Sequence, residues 1–488
     1  MPYEHGMKVR ENPTSLATPV NSTAGLQIVF GTAPINLLAN PESAVNKLII
    51  CYTMADAIAL LGYKDDYSKY TLCQSMDANY KLYAVAPVVF CNVLDPSKHK
   101  TAVEETECAI VKGQSTLAVD GILLDSLIVK AGDTPLTKTT HYIATFDDNG
   151  NAVITLTSAG MTAASSETAL TISGNKIDPS KVTATDVIGG YDATTGKESG
   201  LELIKRVFPT FDLAAGLILA PGWSHIAEVG AVMQAKCDSI NGSFKCECII
   251  DISTTAAPKL TDVPAAKSNS ALMSSHAIGV YPMVKTASGK IMYYSAVLGA
   301  LYCSYDASNG NVPYRKVSNL PMNIAGACLA DGTEVTLDQL EANQLNAIGV
   351  VTIIKMNGFR AWGNNTCAYP TTQDPKERWI RTRRMFSWLG NTFIKTFFEK
   401  VDDPTDYRLV ESVVDDWNVF CSTLASNSNL ADSRMEYIAD ENPIEQILSG
   451  KIIFHQYLAV HTPAESIENI LEFDPTMLES VLNGGDEE

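Results

Sequence analysis

The residues that most resemble a set of metal ligands are three cysteines, Cys237, Cys246 and Cys248, together with His225. Thiolates and imidazoles are the ligands that zinc prefers. The spacing C-x8-C-x-C differs, however, from the C-x2-C pairs of zinc sites, and Cys246 and Cys248 share one face of a predicted strand. The pattern favours ordinary packing of buried thiols, and we predict no metal site.

Residues 147–151, DDNGN, have the density of oxygen ligands that a calcium loop needs. The glutamate that closes an EF-hand loop is missing, so a plain turn is the better interpretation. His455 and His461 flank a predicted strand near the end of the chain, and we interpret both as surface or strand-packing residues.

The sequence contains none of the common catalytic or nucleotide-binding signatures. G-x-x-x-x-G-K-[ST], G-x-G-x-x-G, H-E-x-x-H and G-x-S-x-G are all missing. Ser224 and His225 in LAPGWSH could be a nucleophile and its base in an α/β enzyme, but adjacent residues seldom form such a pair. We predict that the protein is not an enzyme and that it holds no cofactor.

The most basic stretch of the chain is KERWIRTRRMF, residues 376–386, in which one glutamate stands against five cations. On a single helix, three of the cations would lie within about one face, with a fourth at its edge. A solvated helix face is the usual interpretation of such a run, and docking on an acidic partner is the alternative. The five cations are Lys376, Arg378, Arg381, Arg383 and Arg384.

The charge and composition exclude several classes of partner. The 488-residue chain has a net charge of −19 and a pI of about 4.8, which repels nucleic acid and anionic membranes. The N-terminal residues lack the apolar region of a signal peptide, and no stretch approaches the roughly 18 apolar residues of a membrane span. The eleven scattered cysteines are typical of reduced, mostly buried thiols in a cytosolic product.

The elements that would position these side chains follow a mixed α/β pattern. Apolar runs predict core strands within 25–34, 47–53 and 86–99, and a βαβ rhythm after residue 201 predicts a sheet covered on both faces. Residues 141–157 predict a hairpin turning at Asn149-Gly150, and residues 348–364 two strands joined at Asn357-Gly358. Helices are predicted at about 374–400 and 405–426.

These elements divide the chain into six predicted parts. They are an extended N-terminal arm (1–24), the first part of the core (25–99), an inserted β-rich outer domain (100–197), a middle α/β part of the core (198–345), a C-terminal core domain (346–463) and a C-terminal strand arm (464–488).

The C-terminal arm contains a partly apolar segment, residues 467–474, with Ile467, Leu471 and Phe473 on one face of a predicted strand. Chain ends are usually loose unless something holds them. A strand-forming segment at a chain end therefore calls for a partner.

Several blocks resemble the contractile tail sheath proteins of bacteriophages and of phage-tail-like particles such as R-type bacteriocins. They are spaced over almost the whole chain, and none is a catalytic motif. The blocks are HGMKVRENPTS, GLQIVFGTAPIN, VVFCNVLDPSKH, LAPGWS, MNGFRAWGNNTC with the RTRR segment, and ADENPIEQILSGKIIFHQYLAVHTPAESIENILEFD.

The resemblance implies stacked hexameric rings around an inner tail tube, with baseplate and tail terminator proteins as further partners. The subunits would assemble in the bacterial cytoplasm in a metastable extended state, and contraction would drive the tube through a cell envelope without nucleotide hydrolysis. The C-terminal core domain would lie near the tube, with the five cations as tube-facing candidates. Both arms would reach neighbouring subunits, through Val9, Pro13, Leu16 and Pro19 at one end and Ile467, Ile470, Leu471 and Phe473 at the other.

Two alternatives stay open at this point. The chain could be the sheath of a non-phage contractile injection system, or a structural assembly protein with similar arms and no contraction. An electron micrograph of the native particle, with or without a capsid, separates the phage from the tail-like particle.

Overall fold

The computed structural model describes residues 20–21 and 24–482. Its strands in chain order are β1 (Val20–Asn21), β2 (Gln27–Gly31), β3 (Leu48–Cys51), β4 (Val85–Ala86), β5 (Val88–Asn92), β6 (Lys100–Ala109), β7 (Gln114–Leu117), β8 (Ile128–Ala131), β9 (Thr134–Leu136), β10 (Tyr142–Phe146), β11 (Ala152–Leu156), β12 (Ala169–Ile177), β13 (Gly190–Asp192), β14 (Lys197–Ser199), β15 (Leu217–Leu219), β16 (Glu247–Asp251), β17 (Ala277–Val280), β18 (Met283–Lys285), β19 (Ile291–Met292), β20 (Leu320–Pro321), β21 (Gly326–Cys328), β22 (Val350–Lys355), β23 (Phe359–Trp362), β24 (Asp432–Glu436) and β25 (His455–Ala459). The α-helices are α1 (Met54–Leu61), α2 (Thr71–Met76), α3 (Ser158–Ala163), α4 (Ala184–Ile188), α5 (Val207–Phe211), α6 (Ala227–Asp238), α7 (Val263–Asn269), α8 (Tyr294–Ser308), α9 (Gln339–Asn346), α10 (Pro375–Arg378), α11 (Ile380–Phe397), α12 (Tyr407–Ser426), α13 (Ile444–Leu448) and α14 (Pro475–Leu482).

A nine-stranded sheet with the order β20-β23-β22-β17-β16-β15-β2-β5-β3 forms the centre of the molecule. The strands from β22 to β5 run parallel, and the strands at both edges are antiparallel to their neighbours. β2, β5 and β16 are buried along their full length. A strand covered on both faces has a continuous apolar sequence, and the predicted mixed α/β fold is confirmed.

Local sequence signals set the bounds of several elements. Thr53 and Asp56 form a capping box that starts α1. Asn357 and Gly358 both have positive φ angles, 51° and 98°, and join β22 to β23 in the predicted hairpin.

Strands β6 to β12 form two small sheets of their own, with the orders β10-β11-β7 and β6-β12-β8-β9. Their inward side chains, among them Ile154 and Ile172, make a hydrophobic cluster separate from that of the central sheet. Asp120 binds Lys64 and Lys69 of the central part, with Nζ–carboxylate distances of 2.5 and 3.2 Å. The small sheets are thus held to the centre by an ion-pair contact as well as by the chain.

Two details differ from the predictions for this region. The hairpin of β10 and β11 turns through a five-residue loop, 147–151, in which Gly150 has a positive φ of 79° and Asn149 does not. The Asp147 carboxylate accepts the backbone N–H groups of Asn149 and Asn151 at 2.9 and 2.8 Å, so a side chain closes the turn. Val182, within the predicted insertion, packs in the central cluster.

The C-terminal part has a third hydrophobic cluster, between α11 and α12. Trp417 is buried at its centre, with ring-centroid distances of 5.2, 6.0 and 5.0 Å to Phe393, Phe397 and Phe420. β24 and β25 form a two-stranded antiparallel sheet, and β24 packs against α12. The small sheet therefore packs on this cluster through α12.

All eleven cysteines are buried free thiols. In residues 20–21 and 24–482, none of the helices combines the length and the hydropathy that a transmembrane span requires.

Candidate functional site

Beyond Ser466 the C-terminal segment is exposed and leaves the body of the subunit. Residues 462–474 have no regular secondary structure, so the predicted strand over 467–474 is wrong for the single chain. A strand requires a neighbouring edge to complete its main-chain hydrogen bonds, and no described edge of the same chain lies beside it. The four predicted arm residues are almost fully exposed: Ile467 88%, Ile470 83%, Leu471 87% and Phe473 78%.

The start of this segment is fixed to the subunit. Glu465 accepts a hydrogen bond from Nη2 of Arg378 at 3.1 Å and one from Nδ2 of Asn364 at 3.4 Å. Arg378 is itself held by Asn365, which accepts from its Nε at 2.9 Å, and its guanidinium lies over the Trp379 ring. The segment is therefore anchored at one point, beyond which it is free to reach a neighbour.

The sheet of β24 and β25 offers an edge that could receive a strand. Both main-chain groups of Met435 in β24 bind the side-chain amide of Asn418, so they point away from β25. In an antiparallel pair of strands, residue pairs that exchange main-chain hydrogen bonds alternate with pairs that do not. Gln456 lies opposite Met435 in a pair of the second kind, so its N–H and C=O point away from β24, toward the outer edge of β25. α12 thus covers the edge of β24, and the edge of β25 stays open in the described part of the chain.

The basic stretch does not form the predicted exposed helix face. Trp379 is extended (φ −88°, ψ 120°) and separates α10 from α11, so Lys376 lies on a different helix from Arg383 and Arg384. Arg384 is buried and forms an ion pair with the buried Asp306 of α8. A surface role for Arg384 is therefore wrong, because the helix turns this side chain into the interior.

The other four cations have separate environments. Arg383 is buried, and its Nη1 lies 3.4 Å from Glu377 Oε1. Arg378 holds Glu465, and Arg381 lines a cavity beside it. Lys376, whose side chain is 44% exposed, lies 3.2 Å from Glu377. Burial argues against a tube-facing role for Arg383 and Arg384, and the role stays a prediction for Lys376, Arg378 and Arg381.

The cysteines considered for zinc lie in the core. Cys237 and Cys246 are 3.7 Å apart at their Sγ atoms, and burial raises the pKa of both thiols. Among residues 20–21 and 24–482 no group of three or more potential ligand side chains has an arrangement that could hold a metal ion.

Ser224 does not pair with His225. Its hydroxyl donates to Asp251 Oδ2 at 3.0 Å, whereas His225 stacks on Tyr293 and burial lowers its pKa. Asp251 Oδ1 also accepts the backbone N–H of Ser295 at 2.9 Å, within the first turn of α8. The arrangement is a helix cap supplied by the central sheet, and burial raises the pKa of Asp251 to about 6.

Val9, Pro13, Leu16 and Pro19, the N-terminal arm residues, lie outside the described residues. The anchor between Arg378 and Glu465 escaped sequence reasoning because 87 residues separate the two and no local spacing marks such a pair. The open edge of β25 was missed for a similar reason. It follows from the contact of Asn418 in α12 with Met435 in β24, which no local pattern indicates.

Comparisons with known proteins indicate contractile sheath proteins, the same class that the sequence blocks resemble. A chain in the anti-feeding prophage baseplate has a TM-score of 0.57 at 14% identity, covering 97% of this chain and 100% of that one. A chain of the PVC sheath complex in its contracted state, from an extracellular contractile injection system, has a TM-score of 0.57 at 14% identity, covering 98% and 99%. The fold is that of contractile sheath subunits.

Sequence relatives point to phage tails. The tail sheath protein of Burkholderia phage BcepMu is 26% identical over 498 residues, covering 99% of both chains. The tail sheath protein of Escherichia phage P2 is 28% identical over 162 residues, 32% of this chain and 38% of that one. No family model matches the chain. The resemblance to contractile tail sheath proteins is confirmed, and the matches support a structural subunit of a phage tail or tail-like particle.

Proposed function

We propose that the protein polymerises as stacked hexameric rings around an inner tail tube, in a metastable extended state, and contracts to drive the tube through a bacterial envelope. The proposal rests on two features of one subunit, an exposed apolar C-terminal segment that has no strand partner of its own and an open sheet edge at β25. Apolar side chains exposed in such a row are unusual for a subunit that works alone. Assembly would take place in the host cytoplasm, with baseplate and terminator proteins closing the ends.

The link between subunits is a strand added to a neighbour's sheet. Residues 467–474 pair with the outer edge of β25 in a second subunit, whose Gln456 presents free main-chain groups. Each main-chain hydrogen bond contributes about 0.5–1.5 kcal/mol, so five of them contribute several kcal/mol per junction. Burial of Ile467, Ile470, Leu471 and Phe473 on the acceptor adds to this value.

The anchor and the free segment together allow subunits to move while linked. One residue, Ser466, lies between Glu465, which Arg378 holds, and the donated segment 467–474. A change in subunit orientation is therefore absorbed by rotation about the backbone of Ser466 or by release of the contact between Glu465 and Arg378. This is the property that a contracting lattice needs.

Contraction in this scheme uses no nucleotide. The sequence has no nucleotide-binding signature, and the free energy for the stroke comes from the difference in subunit contacts between the extended and contracted lattices. We expect contraction to release heat in a calorimeter without added nucleotide. Particles that stay extended without nucleotide and contract when nucleotide is added would contradict this part of the proposal.

The strand exchange is tested by two deletions in the full-length background. Removal of 467–488 should leave a folded subunit that forms no long sheaths in negative-stain micrographs. Removal of 475–488 alone is the matched control, since it takes away α14 and keeps the donated segment. Long sheaths from the first deletion would refute the proposal.

A substitution at the acceptor edge makes the test sharper. Proline at Gln456 removes an outward N–H without removing a main-chain bond to β24, although it also loses the side-chain bonds to Ser433 and Cys421. We expect Gln456→Pro to assemble poorly while its unfolding midpoint stays close to that of the native chain.

A second candidate is the sheath of a non-phage contractile injection system, which the fold likeness to the PVC sheath chain favours. The full-length similarity to a phage tail sheath protein favours the phage tail. Electron microscopy of native particles separates the two, because only the phage carries a capsid.

A further inference from the structure

A cavity of about 520 Å³ lies where the C-terminal segment leaves the subunit. Three of its lining side chains, Lys316, Arg378 and Arg381, are cationic, and Glu465 is the one acidic side chain among them. The whole chain has a net charge of −19, so a cluster of three cationic side chains is unusual on its surface. The remaining polar lining is rich in side-chain amides: Asn319, Asn343, Asn346, Asn364 and Asn365.

The cationic side chains of the cavity differ in their hydrogen-bond and ion-pair partners. Arg378 has carboxylate, amide and aromatic partners. The Nε of Arg381 is buried and has no hydrogen-bond partner among the described residues. Burial lowers the pKa of Arg381, and the like charge of Arg315 lowers it further. Partly buried cations are normally paired, and the half-buried Arg381 is therefore available to an anion that residues 20–21 and 24–482 of its own subunit do not supply.

We infer that this cavity binds a carboxylate from the C-terminal segment of a second copy of the chain, which pairs with Arg381 beside the subunit's own Glu465. The inference rests on the proposed function, because it takes the segment to leave its own subunit. The C-terminal segment would then have two contact sites on its neighbour, the main-chain edge of β25 and the polar cavity.

Charge complementarity selects this occupant. No lysine or arginine follows Lys451, while acidic residues recur through the exposed segment at Glu468, Glu472 and Asp474. The cavity already accepts one carboxylate of the same segment, Glu465, so it has the chemistry for another. Arginine presents a planar set of N–H donors that matches a carboxylate, and the surrounding amides offer further donors.

The test measures binding of a fluorescent synthetic peptide, residues 466–482, to the full-length chain at concentrations too low for polymerisation. Arg381→Gln should weaken binding at least about tenfold, as expected for loss of one partner of a partly buried charge pair, and should reduce its salt dependence. Lys376→Gln is the matched control, because this exposed cation does not line the cavity. Its affinity should stay within about twofold of the native value.

A second peptide completes a double-mutant cycle. Replacement of Glu468, Glu472 and Asp474 by their amides should weaken binding to the native chain to a similar degree, and should add little further loss on Arg381→Gln. Equal binding of the native peptide to both chains would overturn the inference and leave strand exchange standing. No binding of either peptide to any chain would count against strand exchange as well. If Arg381→Gln leaves peptide binding unchanged but weakens binding of the purified tube protein in a parallel assay, the cavity is assigned to that partner and the inference is overturned.

Discussion

Substitution of Asp306 by asparagine should destabilise the subunit strongly, although the change removes only a charge. Asp306 lies on α8 and faces Arg384 of α11, and both side chains are almost completely buried, at 4% and 3% exposure. The asparagine leaves the Arg384 guanidinium charged and unpaired inside the protein. Removal of one partner of a buried pair costs about 3–5 kcal/mol, a large fraction of the stability of an ordinary domain.

The same argument predicts a compensating pair of substitutions. Asp306→Leu combined with Arg384→Met removes both charges and keeps most of the volume, so its stability should lie within about 1–2 kcal/mol of the native chain. Arg384→Glu should be among the most damaging changes, because it places a second carboxylate beside Asp306. A solvated arginine would tolerate the same substitution at little cost.

Denaturant unfolding of the full-length variants, followed by tryptophan fluorescence, measures these differences at a fixed protein concentration. Trp388 and Trp417 lie in the C-terminal cluster that α11 helps to form, so they report on the affected region. If Asp306→Asn lost less than about 1 kcal/mol, the two side chains would not be a buried pair in solution. The assignment of Arg384 to the interior would then be refuted.

Two further predictions concern other buried and partly buried carboxylates. Burial raises the folded-state pKa of Asp251 to about 6, above its unfolded value near 3.8, so the native chain should lose about 2 kcal/mol of stability as the pH rises from 4 to 6; Asp251→Asn should lack this loss in unfolding curves recorded across that range, and parallel curves for both chains would contradict the prediction. Asp120→Asn should weaken the contact of the small sheets with Lys64 and Lys69 by no more than about 1 kcal/mol, because the three side chains are one-third to one-half exposed; hydrogen exchange should quicken around residues 64–69 with little change in the unfolding midpoint, and unaltered exchange there would show that the ion pairs do not hold the small sheets to the central part.

The central sheet was predictable because its strands carry their own signal. β2, β5 and β16 are fully buried, and each has an apolar centre (IVF, VVFC and CII) flanked by polar or turn residues. The hairpin at Asn357-Gly358 was predictable for a local reason as well, since these residue types adopt positive φ angles at low cost. In both cases the information lies within a few neighbouring residues.

The candidate site was less predictable because its contacts join distant parts of the chain. Arg384 and Asp306 are 78 residues apart, so nothing in the basic stretch shows that this arginine turns inward. The C-terminal segment has strand-like alternation, yet a strand also needs an edge, and its edge is not in the same subunit under our proposal. Sequence periodicity indicates which residues prefer an extended backbone, but it carries no information on where the partner lies.

The burial of every native thiol makes the subunit convenient for covalent mapping of its neighbours. Maleimides and mild oxidants react with accessible thiolates, and burial keeps all eleven sulfur atoms away from them. A single cysteine introduced at Ile470 would therefore be the preferred point of reaction on an otherwise unmodified chain. Paired with a second cysteine on β25, it could form a disulfide between two subunits and record which copy receives the segment before and after contraction.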